Sequence, residues 1–259
     1  MTTSLSLTTV GVDAAPSAPG AIPFSRLVRV EWAKATDTRA ARWLLALVAV
    51  STAAVMLVPV LAPTSFEQSA AGYLRVATLA LTIPLPVVAI LLFTSEWSHR
   101  SVMTTFTQEP RRVRVVNAKL AVSMMLGCSG AVFGGVVTAA GLGLAAASGR
   151  ALEADLTIGI IAGYLLYVLL NVLAAVALGA LLQSSAAAIA ASFALPATVA
   201  VVATASPLVS DWIDMATTWN WVIENDWAGH VPQISVSIAV WVAVPLAAGV
   251  VRTVRRDIG

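Results

Sequence analysis

Few residues of this chain could do covalent chemistry, and none stands in a spacing that supports it. The lysines are Lys34 and Lys119. Neither belongs to a G-x-x-x-x-G-K-[ST] phosphate loop, so ATP is not bound in that way. His99 and His230 fall outside the long apolar runs, which leaves no membrane-buried Ser–His pair for proteolysis and no His-based metal site. Cys128 is the single cysteine; it lies inside an apolar run and is expected to be a small packing residue. No carboxylate occupies the middle of an apolar run, where proton- or cation-coupled transport often places one. No catalytic, cofactor-binding or metal-ligating set is therefore assigned. The distinctive chemistry is concentrated instead in residues 95–118. There Glu96, Arg100, Arg111, Arg112 and Arg114 flank an uncharged stretch, Ser101 to Gln108, that can form a short amphipathic helix. With Lys119 the segment carries five of the fifteen Lys and Arg residues. A loop facing only lipid headgroups needs no such helix, whereas one that docks into another protein does.

The elements that must hold this segment are membrane spans. The chain has 259 residues, 59% hydrophobic and 11% charged, with a mean hydropathy of +0.88; soluble domains carry about 25% charged residues. The apolar residues form unbroken blocks of about 20, the length of a spanning helix. A β-barrel would instead alternate polar and apolar positions. Six spans are predicted near Trp43–Leu61, Tyr73–Thr94, Leu120–Ala147, Thr157–Leu181, Ala186–Leu208 and Ile234–Val251. Arg26, Arg29, Lys34, Arg39 and Arg42, the 95–118 segment, and Arg252, Arg255 and Arg256 then share one side. The other side has Arg75 and Arg150 against seven acids. The positive-inside rule makes the basic side cytoplasmic, with both termini there and the chain in the cytoplasmic (plasma) membrane. The net charge of +2 and pI near 9.0 are accounted for by these flanks and by contact with anionic membrane lipids; no nucleic acid is implied.

Residues 1–22 lack the basic start and apolar core of a signal peptide, and their Ala, Pro, Ser, Thr and Gly content predicts a disordered cytoplasmic tail. A six-helix transmembrane domain would occupy 23–259. Within it, Phe24, Leu27, Val28, Trp32 and Ala35 follow helical spacing, predicting an amphipathic interfacial helix over about 24–36. Glu31 falls close to its apolar face and does not fit the pattern. Asp37 is expected to cap the helix that follows. Pro84 and Pro86 interrupt the second span and Pro196 the fifth. Gly130 and Gly134 give the third span a small-x-x-x-small face. Arg75 is either an interface anchor or the partner of an outer acid such as Glu67.

The order of amphipathic helix, two spans, charged loop with an embedded helix and four further spans resembles permeases of the ABC type-2 exporters. So do Glu96, Ser101, Thr105, Pro110, Arg111, Arg112 and Lys119, which match the pattern those permeases carry after the second span. The resemblance covers about residues 24–256. It implies an all-α permease with a second permease, the same chain or a homologue, and two separate ATPase subunits that bind ATP and Mg. Ser101–Gln108, with Phe106 its large aromatic, would be the coupling helix. Phe24, Leu27, Val28 and Trp32 would mark the connecting helix. Pro110 is expected in the first turn of the helix leading into the third span. The fifth span, with Ser192 and Pro196, would line either a cavity or the dimer interface. Asn171 either bonds to a neighbouring helix or faces the cavity. The outer loop 209–233, with Trp212, Trp219, Trp221 and Trp227, would form short interfacial or re-entrant helices, serving either as an outer gate or as an aromatic belt. The expected cargo is an amphipathic or lipophilic compound: a drug, an antimicrobial peptide or a lipid. The alternative is a non-transporting scaffold or sensor that docks a cytoplasmic partner through 95–118.

Overall fold

The computed structural model describes residues 22–98 and 111–255, the side chains of 96–98 excepted. Among these residues every regular element is helical, and a single bridge between Ser69 and Glu153 is the one β-type pairing. In chain order the helices are α1 (Phe24–Thr36), α2 (Arg39–Leu61), α3 (Ala70–Thr82), α4 (Pro84–Ser98), α5 (Arg112–Ala147), α6 (Ile158–Leu182), α7 (Ser185–Ala203), α8 (Pro207–Trp212), α9 (Met215–Ile223), α10 (Val231–Ile238) and α11 (Val244–Arg255). Six stretches of them are long and apolar enough to cross a membrane: α2, α3 with α4 over Ala70–Ser95, α5, α6, α7, and α10 with α11 over Val231–Arg255. The chain is an all-α, multi-pass membrane protein.

The boundaries depart from the predicted ones for local reasons. Thr38, not Asp37, caps α2, its hydroxyl accepting from the Ala41 N–H at 3.1 Å; Asp37 closes α1 instead. The fifth span stops at Ala203 because Ser206 precedes Pro207, a position that disfavours helix, and Ser206 then caps α8. Arg111 is the N-cap of α5, so Pro110, outside the described residues, precedes the cap rather than entering the first turn. Helix occupies both ends of the 95–118 segment: α4 runs to Ser98 and α5 starts at Arg112. Lys119 is thus a buried residue of α5 rather than part of a loop flank.

In lipid, helices associate by close packing rather than by escape from water, so small residues set the contacts. The central helix is α6, which touches α3, α4, α5, α7, α9 and α11. At Gly249 a Cβ would run into the Ala180 backbone, so α11 and α6 are in backbone contact. Gly130 and Gly134 do mark a close face, but side chains fill it: Leu85 lies over the first, Tyr164 and Leu81 over the second. By contrast α7 buries only Ala188, and the rest of its length is half-buried or exposed. Cys128, expected in the packing, is exposed on α5.

Hydrogen bonds gather the helix ends into two groups. At one end the Arg112 guanidinium donates to the Thr253 carbonyl at 3.0 Å, that of Arg114 to Ile22 at 2.6 Å, and that of Arg252 to Leu181 at 2.6 Å. Gln183 Nε2 donates to the Thr253 hydroxyl. Arginines here supply donors to the last carbonyls of α11 and α6, which no helical N–H can reach. At the other end Arg150 does the same for the carbonyls of Pro59 and Val60 in α2. Arg75 reaches Glu67 at 3.6 Å and Glu224 at 4.0 Å, so it pairs with acids of that end, Glu67 among them as expected. The basic segments near residues 26–42, 112–119 and 252–255 share one end, as an even number of crossings requires.

Candidate functional site

Prolines fall inside four of the spans; Pro59 in α2 stands apart, and those of the other three converge. Pro84 has no N–H for the Ala80 carbonyl, so α3 ends at Thr82 and α4 restarts with Pro84 in its first turn. Pro86 likewise withholds a donor from Thr82, and Pro196 from Ser192 in the middle of α7. In the last span Pro245 withholds one from Trp241 and its ring would clash with that carbonyl. The helix responds by widening into a π turn over Ala239–Ala243, where the Val244 N–H reaches back five residues to Ala239. Such bulges mark functional positions often enough to direct attention there.

A cavity of about 260 Å³ lies where these breaks meet. Thr82, Ile83 and Pro86 line it from the break between α3 and α4; Ser192, Phe193 and Pro196 from α7; Trp241 from the π turn. Tyr167, Asn171, Ala174, Ala175 and Leu178 come from α6, and Met215, Ala216 and Trp219 from α9. Ile83, Asn171, Pro196 and Trp241 each stand near the middle of a membrane-length helix, so the cavity is at mid-span. None of its lining residues carries a charge at neutral pH. Asn171 donates to the Tyr167 carbonyl at 2.9 Å, within its own helix, and Ser192 to Ile189 at 2.8 Å. Of the two alternatives for Asn171, it lines the cavity, and its amide bonds within its own helix rather than to a neighbour.

The position of α9 separates the four tryptophans of residues 209–233. Trp219 is 1% exposed, packed with Leu170, Ala174, Trp241 and Val242, and its ring meets Tyr167 edge-on at 6.4 Å. Two features turn this helix inward. Asp214 caps it, accepting from the Thr217 N–H at 3.0 Å. Gly159 and Gly163, four residues apart on α6, leave room for Asn225 and for the Val222 carbonyl. Thus α9 is re-entrant, reaching mid-span. Trp212, 37% exposed, remains peripheral, and Trp221 stacks on His230 at 3.9 Å. Trp219 Nε1 is buried with no acceptor, which costs about 1–3 kcal/mol. Trp241 Nε1, by comparison, donates to the Ile213 carbonyl at 2.7 Å.

A second cluster lies at the basic end. Glu31, the residue that spoiled the apolar face of α1, is 4% exposed and holds both lysines of the chain: Lys34 at 2.6 Å and Lys119, itself 4% exposed, at 2.8 Å. It fixes α1 to α5. Leu27, Val28 and Trp32 are half-buried on the same side, whereas Phe24 is 43% exposed. Of the residues expected to couple, Glu96 lies in α4, Arg111 caps α5, and Arg112 binds the end of α11. Ser101, Thr105, Phe106 and Pro110 lie outside the described residues.

Sequence reasoning named Asn171, Ser192, Pro196 and Trp219 but missed Tyr167, Ile83, Met215 and Trp241. Pro245, four residues after Trp241, was the available signal for the last. No protein-family model, no curated protein and no solved structure matches the chain.

Proposed function

We propose that the chain is the membrane-spanning subunit of an ATP-driven exporter of the ABC type-2 kind. A second permease and two ATPase subunits complete the assembly, and both termini are cytoplasmic. ATP is hydrolysed on the partner; this chain supplies the path for an amphipathic or lipophilic compound. One observation carries the reading: α4 runs unbroken from the cavity at Ile83 and Pro86 to the 95–118 segment. Fifteen residues of helix make a lever of about 22 Å. A push on the segment would swing α4 about the break at Ile83 and change the cavity's shape, a rigid-body switch between two packings. Mid-span sites at discontinuous helices are what transporters use, because irregular backbone is tolerated in a membrane only where protein or a cavity surrounds it. A docking scaffold needs neither the breaks nor the cavity.

The test is ATP-dependent uptake of a lipophilic fluorescent dye into inside-out vesicles carrying this chain and its ATPase. Phe106→Asp should abolish uptake without lowering the amount of the chain in the membrane, since it would place an unpaired carboxylate where an aromatic anchor docks. Uptake equal to that of the parent would remove Ser101–Gln108 from the coupling role.

A further inference from the structure

We propose that the mid-span cavity binds an uncharged molecule of one or two rings whose hydrogen-bond acceptor is taken by Trp219 Nε1. The inference rests on reading the cavity as a ligand site, not on ATP-driven transport. Among the described residues, the buried side-chain atoms without a partner are Thr138 Oγ1, Trp219 Nε1, Trp227 Nε1 and Gln233 Oε1. Only Trp219 also lines the cavity. An indole N–H donates and cannot accept, so the group that satisfies it is an acceptor such as a carbonyl, ether or ring nitrogen.

Size, walls and access narrow the class. At about 260 Å³ the space is just below the roughly 300–1,000 Å³ of drug-sized pockets. Tyr167, Trp219, Trp241 and Phe193 give it aromatic walls, which favour stacked or edge-on rings. Ile83 is 60% and Phe193 44% exposed, both near the middle of membrane-length helices, so the mouth opens towards hydrocarbon rather than water. A charged molecule would have to shed its hydration to enter there, and no side chain charged at neutral pH lines the cavity to compensate. A lipid chain would fill the volume but leave the indole N–H unsatisfied.

Three probes of similar shape separate these cases: quinoline, with an acceptor nitrogen; naphthalene, with none; and N-methylquinolinium, with a fixed charge. The full chain, labelled with ¹⁵N at its indole nitrogens and held in lipid nanodiscs, is titrated with each. The Trp219 N–H signal is assigned by its loss in Trp219→Phe. Quinoline should move that signal downfield and saturate, binding about tenfold more tightly than naphthalene, the worth of one buried hydrogen bond. N-methylquinolinium should leave it in place. Trp219→Phe should bind quinoline and naphthalene equally, read at the Trp241 indole. Ser192→Phe, on the loosely packed α7, should block both. An unmoved Trp219 signal, a shift that grows without saturating, or equal responses to quinoline and naphthalene in the parent would each overturn the proposal. Saturable binding in a chain that fails the vesicle assay would remove the exporter reading and leave the site; transport without probe binding would do the reverse.

Discussion

Glu31 shows how a single charge can contradict its surroundings in sequence and be explained in space. On α1 it interrupts an apolar stripe; in the fold its carboxylate lies between Lys34 and Lys119, joining residues 88 apart. A buried pair adds little over an apolar pair of the same volume; removing one partner outright costs about 3–5 kcal/mol, and less than that here because Glu31 keeps Lys34. Lys119→Met should therefore lower the melting temperature of the detergent-solubilised protein markedly, while Glu31→Leu with Lys119→Met should recover most of the loss. A double variant as unstable as the single would mean that the pair is not what fixes α1 to α5. Asp155 gives a second, pH-dependent case. Burial acts to raise its carboxyl pKa, but hydrogen bonds from the Ala71 N–H, the Ser69 hydroxyl and the N–H groups of Asp155 and Ala70 outweigh it and hold the group below the ordinary value. Its folded pKa is depressed, so its stabilisation is present above about pH 4, the unfolded value, and fades as pH falls through the folded one. Asp155→Asn, which keeps an acceptor at the start of α3 but removes the charge, should lose about 0.3–1 kcal/mol at pH 7. Melting curves of parent and variant should draw together towards pH 3; a gap that stays constant would mean the charge is not what matters.

Among the elements, the re-entrant α9 lines the cavity and touches α7. It is seated by Gly159 and Gly163, where an added Cβ would strike Asn225 and the Val222 carbonyl. Gly163→Leu should lift α9 and expose Trp219, seen as stronger acrylamide quenching of tryptophan fluorescence than in the parent, while Gly143→Leu, at a glycine with open space around it, should change nothing. Unchanged quenching in Gly163→Leu would show that α9 does not depend on this contact. The spans themselves were legible because a run of about twenty apolar residues has few other uses. The proline breaks were legible too, since a missing N–H is written in the residue type. What was not legible was direction. A tryptophan in an outer loop reads as a membrane-interface residue, and only the glycine pair on a helix some 60 positions earlier reveals that Trp219 turns inward. The π turn went unread because Pro245 near a helix end looks like an ordinary boundary. The partner of Glu31 could not be found from one sequence, because no periodicity links α1 to α5.

At the scale of the whole molecule, the features at the two depths form one device. The basic end is tied together by Arg112, Arg114, Arg252 and Glu31, the mid-span cavity sits at one helix break, one π turn and Pro196 of α7, and α4 connects the two depths. The exposed length of α7 offers a face for the second permease that the proposed assembly requires. In the proposed assembly the ATPase works as a pair and each 95–118 segment would dock one subunit, so two permease chains are expected. The most direct measurement is the native mass of the complex purified through this chain from its own membranes, together with its ATP hydrolysis. The account predicts two permease chains, identical or homologous, with two ATPase subunits and measurable hydrolysis of ATP. A stable particle containing a single permease chain, or a permease dimer that carries no ATPase and hydrolyses no ATP, would contradict it.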